Sequence, residues 1–507
     1  MKKRISFVIF ILILILGFGL RAQEMISHNF LFLLDQGRDM MAVKGILYDY
    51  HLTLIGPHTS LRGVFQGPLW YYLLAFSTGI LGGDPWGSII LMVGISMLAL
   101  LIMYFWMRKL FGEKAALVTL FLFAISPEAS AAATYAWNPH PMWLLVATYI
   151  FVFYSAIYKS NKFNIALWPL IGLMFHFQTA LAVFILLASI IYILIFERKT
   201  ILNRSFAIGI GLFLLTFLPQ IVFDMRHDFL MSRSVISLLA GSERGLFVGG
   251  EKSGYLGLIR AHLDSVYGNF RSAFINDGFA KYIPNLFVLL ILSSTLLVIK
   301  KVNIFSRRES EFILFIFKLL LIIILLTFAY PFPLRYWFLT GFQSFYLIIL
   351  GLLLSKFLTN RLGILFMILL FTILIFYSGK KIYLLYFNPP NDGGAEKIKG
   401  KLSAIDYIYK DTKDKSYGLL VFTPAVYTYA YDYLIFWHGK KQYGYEPSRD
   451  KKDVFYLLIE TDHSKPWSYE GWLQTVVKTG KILKTVTLPT GLIIQKRSIL
   501  QNIKYVL

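Results

Sequence analysis

Met1-Lys2-Lys3-Arg4 runs into Ile5-Ser6-Phe7-Val8-Ile9-Phe10-Ile11-Leu12-Ile13-Leu14-Ile15-Leu16-Gly17-Phe18-Gly19-Leu20, and this opening decides how the rest of the chain reads. The apolar run is sixteen residues long, close to membrane length. A basic N-terminus stays in the cytoplasm, so the chain emerges from this run on the outer side. The alternative is a cleaved signal peptide. Leu20-Arg21-Ala22-Gln23 is a poor match to a small-residue cleavage site, and cleavage would leave the side of residues 22–85 unchanged.

Composition extends the reading to the whole chain. It has 507 residues, of which 57% are hydrophobic and 17% aromatic, with a mean hydropathy of +0.62. That balance belongs to a polytopic membrane protein. The formal charge is +22, from 50 Lys and Arg against 28 Asp and Glu. Basic residues that flank spans on one side account for the surplus without nucleic acid as a partner. Attraction to anionic lipid or a lipid-linked substrate is the second source. There are no cysteines, which excludes disulfides, thiolate catalysis and Cys-based metal sites.

Apolar runs predict about eleven transmembrane helices, at 5–21, 86–107, 114–133, 141–158, 164–176, 178–196, 205–223, 283–300, 312–330, 336–357 and 362–379. By alternation the cytoplasmic connections are Met1–Arg4, Arg108 to Lys114, Lys159 to Lys162, Glu197 to Arg204, Lys300 to Arg308 and Lys356 to Arg361. Each holds at least two basic residues, as the positive-inside rule requires. The stretch 163–196 is too long for one span, and two short legs meeting near His176-Phe177-Gln178 keep the alternation. The outer regions are a first loop, 22–85, the short Tyr135 to Pro141, a large loop, 224–282, and a tail from 380. Residues 68–81 predict a helix lying in the membrane interface.

Asn388-Pro389-Pro390-Asn391-Asp392-Gly393-Gly394 is a linker signal. Beyond it, Tyr417–Phe422, Val454–Glu460 and Lys484–Gln495 read as strands, with helical patterns at 395–410 and 426–437. The expected fold is mainly α. A membrane domain, 1–379, precedes a small extracytoplasmic α/β domain, 380–507. The N-terminus is cytoplasmic, and the multi-pass chain sits in the cytoplasmic membrane.

Ionisable residues at span ends are candidates for function, because burying charge is costly. The first loop carries Asp35-Gln36-Gly37-Arg38-Asp39. On a helix, Asp35, Arg38 and Asp39 share one face. They form either a general base with a helper carboxylate or an ion pair that only solubilises a surface helix. Further clusters are Asn138 with His140, His176 with Gln178, and Arg335 with Tyr336. Their structural readings are a helix-start turn, a satisfied polar kink and an interfacial anchor pair. All four clusters map to the outer side. Arg226 and Arg233 of the large loop can guide an anionic ligand. No phosphate-binding glycine loop is present, so nucleotide hydrolysis is disfavoured. A lipid-phosphate-linked sugar fits better; the alternatives are a glycan ligase or polymerase that uses a diphosphate-linked oligosaccharide, and a lipid-sugar flippase or transporter. An Arg can hold the phosphate as leaving group, while an Asp deprotonates an acceptor hydroxyl for one inverting displacement at the anomeric carbon.

Over residues 1–379 the chain resembles the GT-C class of integral-membrane glycosyltransferases, in particular the protein O-mannosyltransferase and aminoarabinose-transferase-like group (family 39/83-type). The residues that carry the resemblance are the acidic motif, Gly67-Pro68-Leu69-Trp70-Tyr71-Tyr72-Leu73-Leu74, Ser126-Pro127 followed by Ala136-Trp137-Asn138-Pro139, and Pro333-Leu334-Arg335-Tyr336. The resemblance implies a polyprenyl-phosphate sugar donor and an acceptor that is protein, lipid or glycan. It makes Asp35 the catalytic aspartate. The family's neighbouring Glu is Gln36 here, so Asp39 is expected to supply the second carboxylate. Asn138 falls where some relatives carry a second aspartate, and Arg335 matches a position assigned to the donor phosphate. Gln66 falls near a glutamate that ligates metal in some relatives. No cofactor is assigned, and a divalent metal lacks a clear ligand set.

Overall fold

The computed structural model describes residues 2–240, 255–275, 277–302, 304–387, 394–412, 416–424, 426–462 and 464–499. The linker signal Asn388 to Gly393 and residues 241–254 of the large loop lie outside the described residues.

The chain is mainly helical, with one four-stranded sheet in its C-terminal part. Among the described residues, five helices are long and apolar enough to cross a membrane: Trp86–Phe111, Thr179–Phe196, Ala280–Ile299, Arg307–Phe328 and Arg361–Tyr386. Two bent pairs raise the number to seven. These are Glu113–Ile125 with Pro127–Thr134, bent by 57°, and Arg204–Thr216 with Leu218–Arg226, bent by 47°. The expected eleven is reached only by adding four shorter apolar helices: Arg4–Gly19, Met142–Tyr158, Gln343–Thr359 and Asn164–Met174. A helix of about 17 residues is about 25 Å long, short of the ~30 Å hydrocarbon core. Length and composition therefore support five to seven spans, fewer than the runs suggest. The stretch 163–196 forms two legs, Asn164–Met174 and Thr179–Phe196, joined by a turn through His176.

The chain divides into two compact units. The first comprises Met1–Ala22, Thr53–Trp70 and Leu91–Tyr383; the second comprises Gln23–Leu52, Tyr71–Ile90 and Leu384–Leu507.

In the first unit, the break at Ser126 has a chemical cause. Pro127 has no N–H, so carbonyls at the end of Glu113–Ile125 lose their helical donors. Arg21, fully buried, supplies replacements. Its Nη2 donates to Phe123 O at 2.9 Å and its Nη1 to Ala124 O at 2.7 Å. Its Nε donates to Ser96 Oγ at 2.8 Å. The arginine beside the weak cleavage pattern is thus a buried latch that satisfies the kink.

The second unit is built on a sheet ordered β1-β2-β4-β3, with β1 Gly418–Phe422, β2 Val454–Ile459, β3 Lys481–Thr487 and β4 Ile493–Ser498. β1 and β2 are parallel, and the other pairs are antiparallel. A parallel pair needs a crossover, and the helix Tyr429–Leu434, continued by π-turns Ile435–Tyr443, lies in it. The run Lys484–Gln495, read as one strand, is a hairpin: Leu488-Pro489-Thr490-Gly491-Leu492 turns the chain between β3 and β4. Phe422, Phe455, Leu457, Ile459 and Val477 form the core. Buried Lys401 pairs with Glu460 at 2.6 Å, and Tyr431 donates to the same carboxylate at 2.7 Å.

Two parts of the first loop, Gln23–Leu52 and the stretch from Tyr71, are woven into this unit. Phe32 N–H donates to Glu396 O at 3.0 Å, and Ile398 N–H to Phe30 O at 3.0 Å. Tyr433 and Trp437 donate to the carbonyls of Gly83 and Gly82. The helix Leu34–Leu47 packs directly on Tyr429–Leu434. A methyl added at Gly37 would lie 2.2 Å from the Ala430 nitrogen, whereas one at Gly45 meets nothing within 4 Å. Gly37→Ala should therefore lower the unfolding midpoint, at an overpacking cost of roughly 1–3 kcal/mol. Gly45→Ala should leave it unchanged or raise it, since alanine favours a helix by up to ~1 kcal/mol. Thermal unfolding of the two variants in detergent checks the contrast, and equal midpoints would contradict the close contact.

Candidate functional site

The helix Leu34–Leu47 starts with Leu33 N–H donating to Gln36 Oε1 at 3.0 Å. Gln36, in the place of the expected glutamate, thus satisfies a backbone donor at the helix start. The next turn carries the acidic pair. Arg38 Nε and Nη2 donate to Asp39 Oδ1 at 2.9 and 2.7 Å. Arg38 Nη1 donates to Asp35 Oδ1 at 2.8 Å. The two carboxylates differ sharply in environment: the Asp39 side chain is 1% exposed and that of Asp35 is 31% exposed. Tyr71, nearly buried, hydrogen-bonds with the same guanidinium. Burial alone would pull the Arg38 pKa down, but the charges of Asp39 and then Asp35 outweigh it and hold the pKa above its ordinary value. Burial, and then the Asp39 charge, push the Tyr71 phenol up. The site presents a permanently charged Arg, a neutral Tyr, a sequestered carboxylate and one carboxylate open to water.

The first unit gathers the other clusters. Asn138 Nδ2 donates to Gln66 Oε1 at 2.9 Å and to Phe177 O at 2.8 Å. His176 is engaged at both nitrogens: Nδ1 accepts from Leu69 N–H at 3.3 Å, so Nε2 donates to Thr216 O at 3.0 Å. A methyl on Gly67 would sit 2.1 Å from His176 Nδ1, so the imidazole needs that glycine. Gln178 Nε2 donates to Trp337 O at 2.8 Å. Trp137 packs edge-on to His140 and to Trp337, with centroids 5.5 and 6.1 Å apart. Arg335 is exposed, with its guanidinium carbon 6.0 Å from the Trp337 ring centroid. Tyr336, also exposed, packs on Trp337. Three clusters distant in sequence thus meet around Trp337 and Gln66. Arg226 and Arg233 take no part in these contacts; they are exposed on Leu218–Arg226 and Leu230–Leu239.

With this geometry in view, relatives are recognisable. Residues 66–223 match the family model of dolichyl-phosphate-mannose-protein mannosyltransferases. Among solved structures, the chain is similar to ArnT from Cupriavidus metallidurans bound to undecaprenyl phosphate, with 11% identity over 98% of both chains and a TM-score of 0.50. It is also similar to the archaeal oligosaccharyltransferase AglB from Archaeoglobus fulgidus in complex with an inhibitory peptide and a dolichol-phosphate. There the identity is 12% over 99% of this chain and 75% of that one, with a TM-score of 0.51. The chain has the fold of the GT-C membrane glycosyltransferases. A search of curated proteins returns no match.

Within this GT-C fold, the family match spans Gln66, Asn138, His140, His176 and Gln178. Gln66 Oε1 is taken by Asn138, and among the described residues no group of three His, Asp or Glu side chains could hold a metal ion. The described side chains do not fit a divalent metal. Sequence reasoning missed two partners. Tyr71 reads only as part of the interfacial helix at 68–81, and Gln66 only as a position near a metal-ligating glutamate of some relatives. Both belong to hydrogen-bonded groupings whose other members are distant in sequence.

Two measurements check the electrostatics. Asp39→Leu leaves Arg38 half-compensated, which costs roughly 3–5 kcal/mol for a buried pair. Asp35→Asn loses a partly solvated contact worth about 1 kcal/mol or less. Unfolding midpoints should therefore fall far more for Asp39→Leu. His140 is buried, and burial pulls its imidazole from 6.5 down to about 4. Below pH 6.5 the unfolded chain takes up a proton that the folded chain refuses, so the stability contributed by neutral His140 is lost as pH falls toward 4. The stability difference between wild type and His140→Gln should shrink over that window; a pH-independent difference would contradict the buried neutral state.

Proposed function

We propose that the chain is a glycosyltransferase that moves a sugar from a polyprenyl-phosphate donor to an acceptor hydroxyl, with inversion, on the outer face of the cytoplasmic membrane. Residues 1–379 form the membrane part, with about eleven spans, and residues 380–507 an extracytoplasmic domain. The observation that carries the reading is the Arg38 clamp. It fixes Asp35 in place and leaves that carboxylate open to solvent. The GT-C fold supports it, as do the lipid phosphates named with ArnT and AglB.

In the proposed step, Asp35 accepts the proton of the acceptor hydroxyl as that oxygen attacks the anomeric carbon. The bond from that carbon to the phosphate oxygen breaks, and its electron pair leaves with the lipid phosphate. Arg335, exposed and without an acidic partner among the described residues, neutralises the phosphate as charge builds. Asp39 and Arg38 position Asp35. Asn138, His140, His176, Gln178 and Tyr336 shape the donor side, the first four through contacts that hold the 66–69 segment and Trp337 in place. Arg226 and Arg233 attract the anionic donor to the surface.

Reconstitution with a panel of polyprenyl-phosphate sugars tests this. Asp35→Asn should reduce transfer by a factor of roughly 100 or more, in the range lost with a general base, at unchanged expression. Undiminished transfer would refute the base. Arg335→Ala should raise the donor KM by roughly tenfold or more, the cost of a hydrogen bond to a charged group. Equal donor affinity in that variant would reject the phosphate role.

A further inference from the structure

Arg226 and Arg233 do not stand alone. The first-loop segment 58–65 packs against the two helices that carry them. Gly63, at φ +74°, lies so close to Leu230–Leu239 that an added methyl would be 2.4 Å from Ser234 Oγ. Phe65 meets Phe223 edge-on with centroids 5.5 Å apart, and its carbonyl accepts from Gln220 Nε2 at 3.3 Å. These contacts set the backbone of Arg62, next to Gly63, beside the helix that carries Arg233, next to Ser234. Asp224 fixes the corner between the helices. It is buried and accepts from Met231 N–H and Ser232 Oγ, both at 2.6 Å. His58 packs on Phe65 and His227 on Phe223.

The charge here is lopsided. Arg62, Arg226 and Arg233 are all exposed, and none pairs with an acidic side chain among the described residues. Asp228 is the exposed carboxylate on these segments, since Asp224 is turned inward. The same helices expose apolar side chains between the arginines: Met225 at 65%, Phe229 at 55% and Ile236 at 64%. Leu218–Arg226 is bent 47° away from the apolar helix Arg204–Thr216 that precedes it. Helices with apolar and basic side chains interleaved, turned off the axis of a span, suit the plane of a membrane interface. Basic groups at that depth meet lipid phosphates.

We infer that Arg62, Arg226 and Arg233 form a docking surface for the phosphate headgroups of anionic bilayer lipids, with Met225, Phe229 and Ile236 seated among the acyl chains. The surface anchors residues 218–239 on the membrane. This goes beyond the transfer reaction and stands whether or not Asp35 is its base.

The absence of native cysteines makes a depth measurement direct. The full chain carrying Ile236→Cys is spin-labelled and placed in nanodiscs of phosphatidylglycerol or of phosphatidylcholine, and collision with a water-soluble nickel chelate is read by power saturation. Accessibility should be at least twofold lower in phosphatidylglycerol. The difference should vanish in Arg62→Gln/Arg226→Gln/Arg233→Gln, and in 0.5 M salt, where the Debye length is only about 4 Å. These arginines are exposed, so the triple variant should fold, and its unfolding midpoint verifies that. Equal accessibility in the two lipids, or a difference that survives in the triple variant, would overturn the inference. So would a drop that occurs only when undecaprenyl monophosphate is added to phosphatidylcholine, because the surface would then belong to the carrier lipid.

Discussion

Arg38 divides its N–H groups between two aspartates, and the unequal division makes those aspartates different. Asp39 receives two of the bonds and is sealed from water; Asp35 receives one and keeps part of its surface open. A guanidinium does not lose its proton under working conditions, so the clamp persists wherever the helix is intact. A carboxylate that is fixed and partly wet is placed to meet an incoming hydroxyl. One held by two charge-assisted bonds and buried cannot exchange its partners so readily. Position on the helix turn, rather than residue type, sets the two environments apart.

The turn itself is held by the rest of its unit. Gly37 lies between the two aspartates and lets the backbone at Ala430 come into direct contact. The Ala430 helix is tied in turn to the sheet through Tyr431, Glu460 and Lys401. The acidic motif and the C-terminal sheet are therefore one folded body, although more than three hundred residues separate them in the chain. A substitution at the Lys401 pair can reach the clamp through two packed helices, without touching either aspartate.

Much of this is legible in the sequence, for physical reasons. Apolar runs bounded by Lys and Arg read as helices because hydropathy and flanking charge act locally. The spacing of Asp35, Arg38 and Asp39 implies a shared face because a helix turn is a local object. What escapes is non-local. Arg21 answers carbonyls about a hundred residues away, and nothing near it in sequence announces that. Asn138 finds Gln66, and Gln178 finds the Trp337 carbonyl, only once the short legs have packed. The β3–β4 hairpin carries a turn signal, Pro489-Thr490-Gly491, that reading Lys484–Gln495 as one strand passes over. Four helices are apolar but short, so among the described residues length and composition alone support five to seven of the expected eleven spans.

Chemical rescue puts the role of Asp35 to the most direct test. Asp35→Gly removes the carboxylate and leaves room for a small one. In proteoliposomes loaded with a competent polyprenyl-phosphate sugar, this variant should be inactive alone. It should regain transfer in proportion to added formate, with an inverted anomeric centre in the product. If formate restores nothing while the variant stays folded and binds donor, or if the variant works without it, the proton goes elsewhere and Asp35 is not the base.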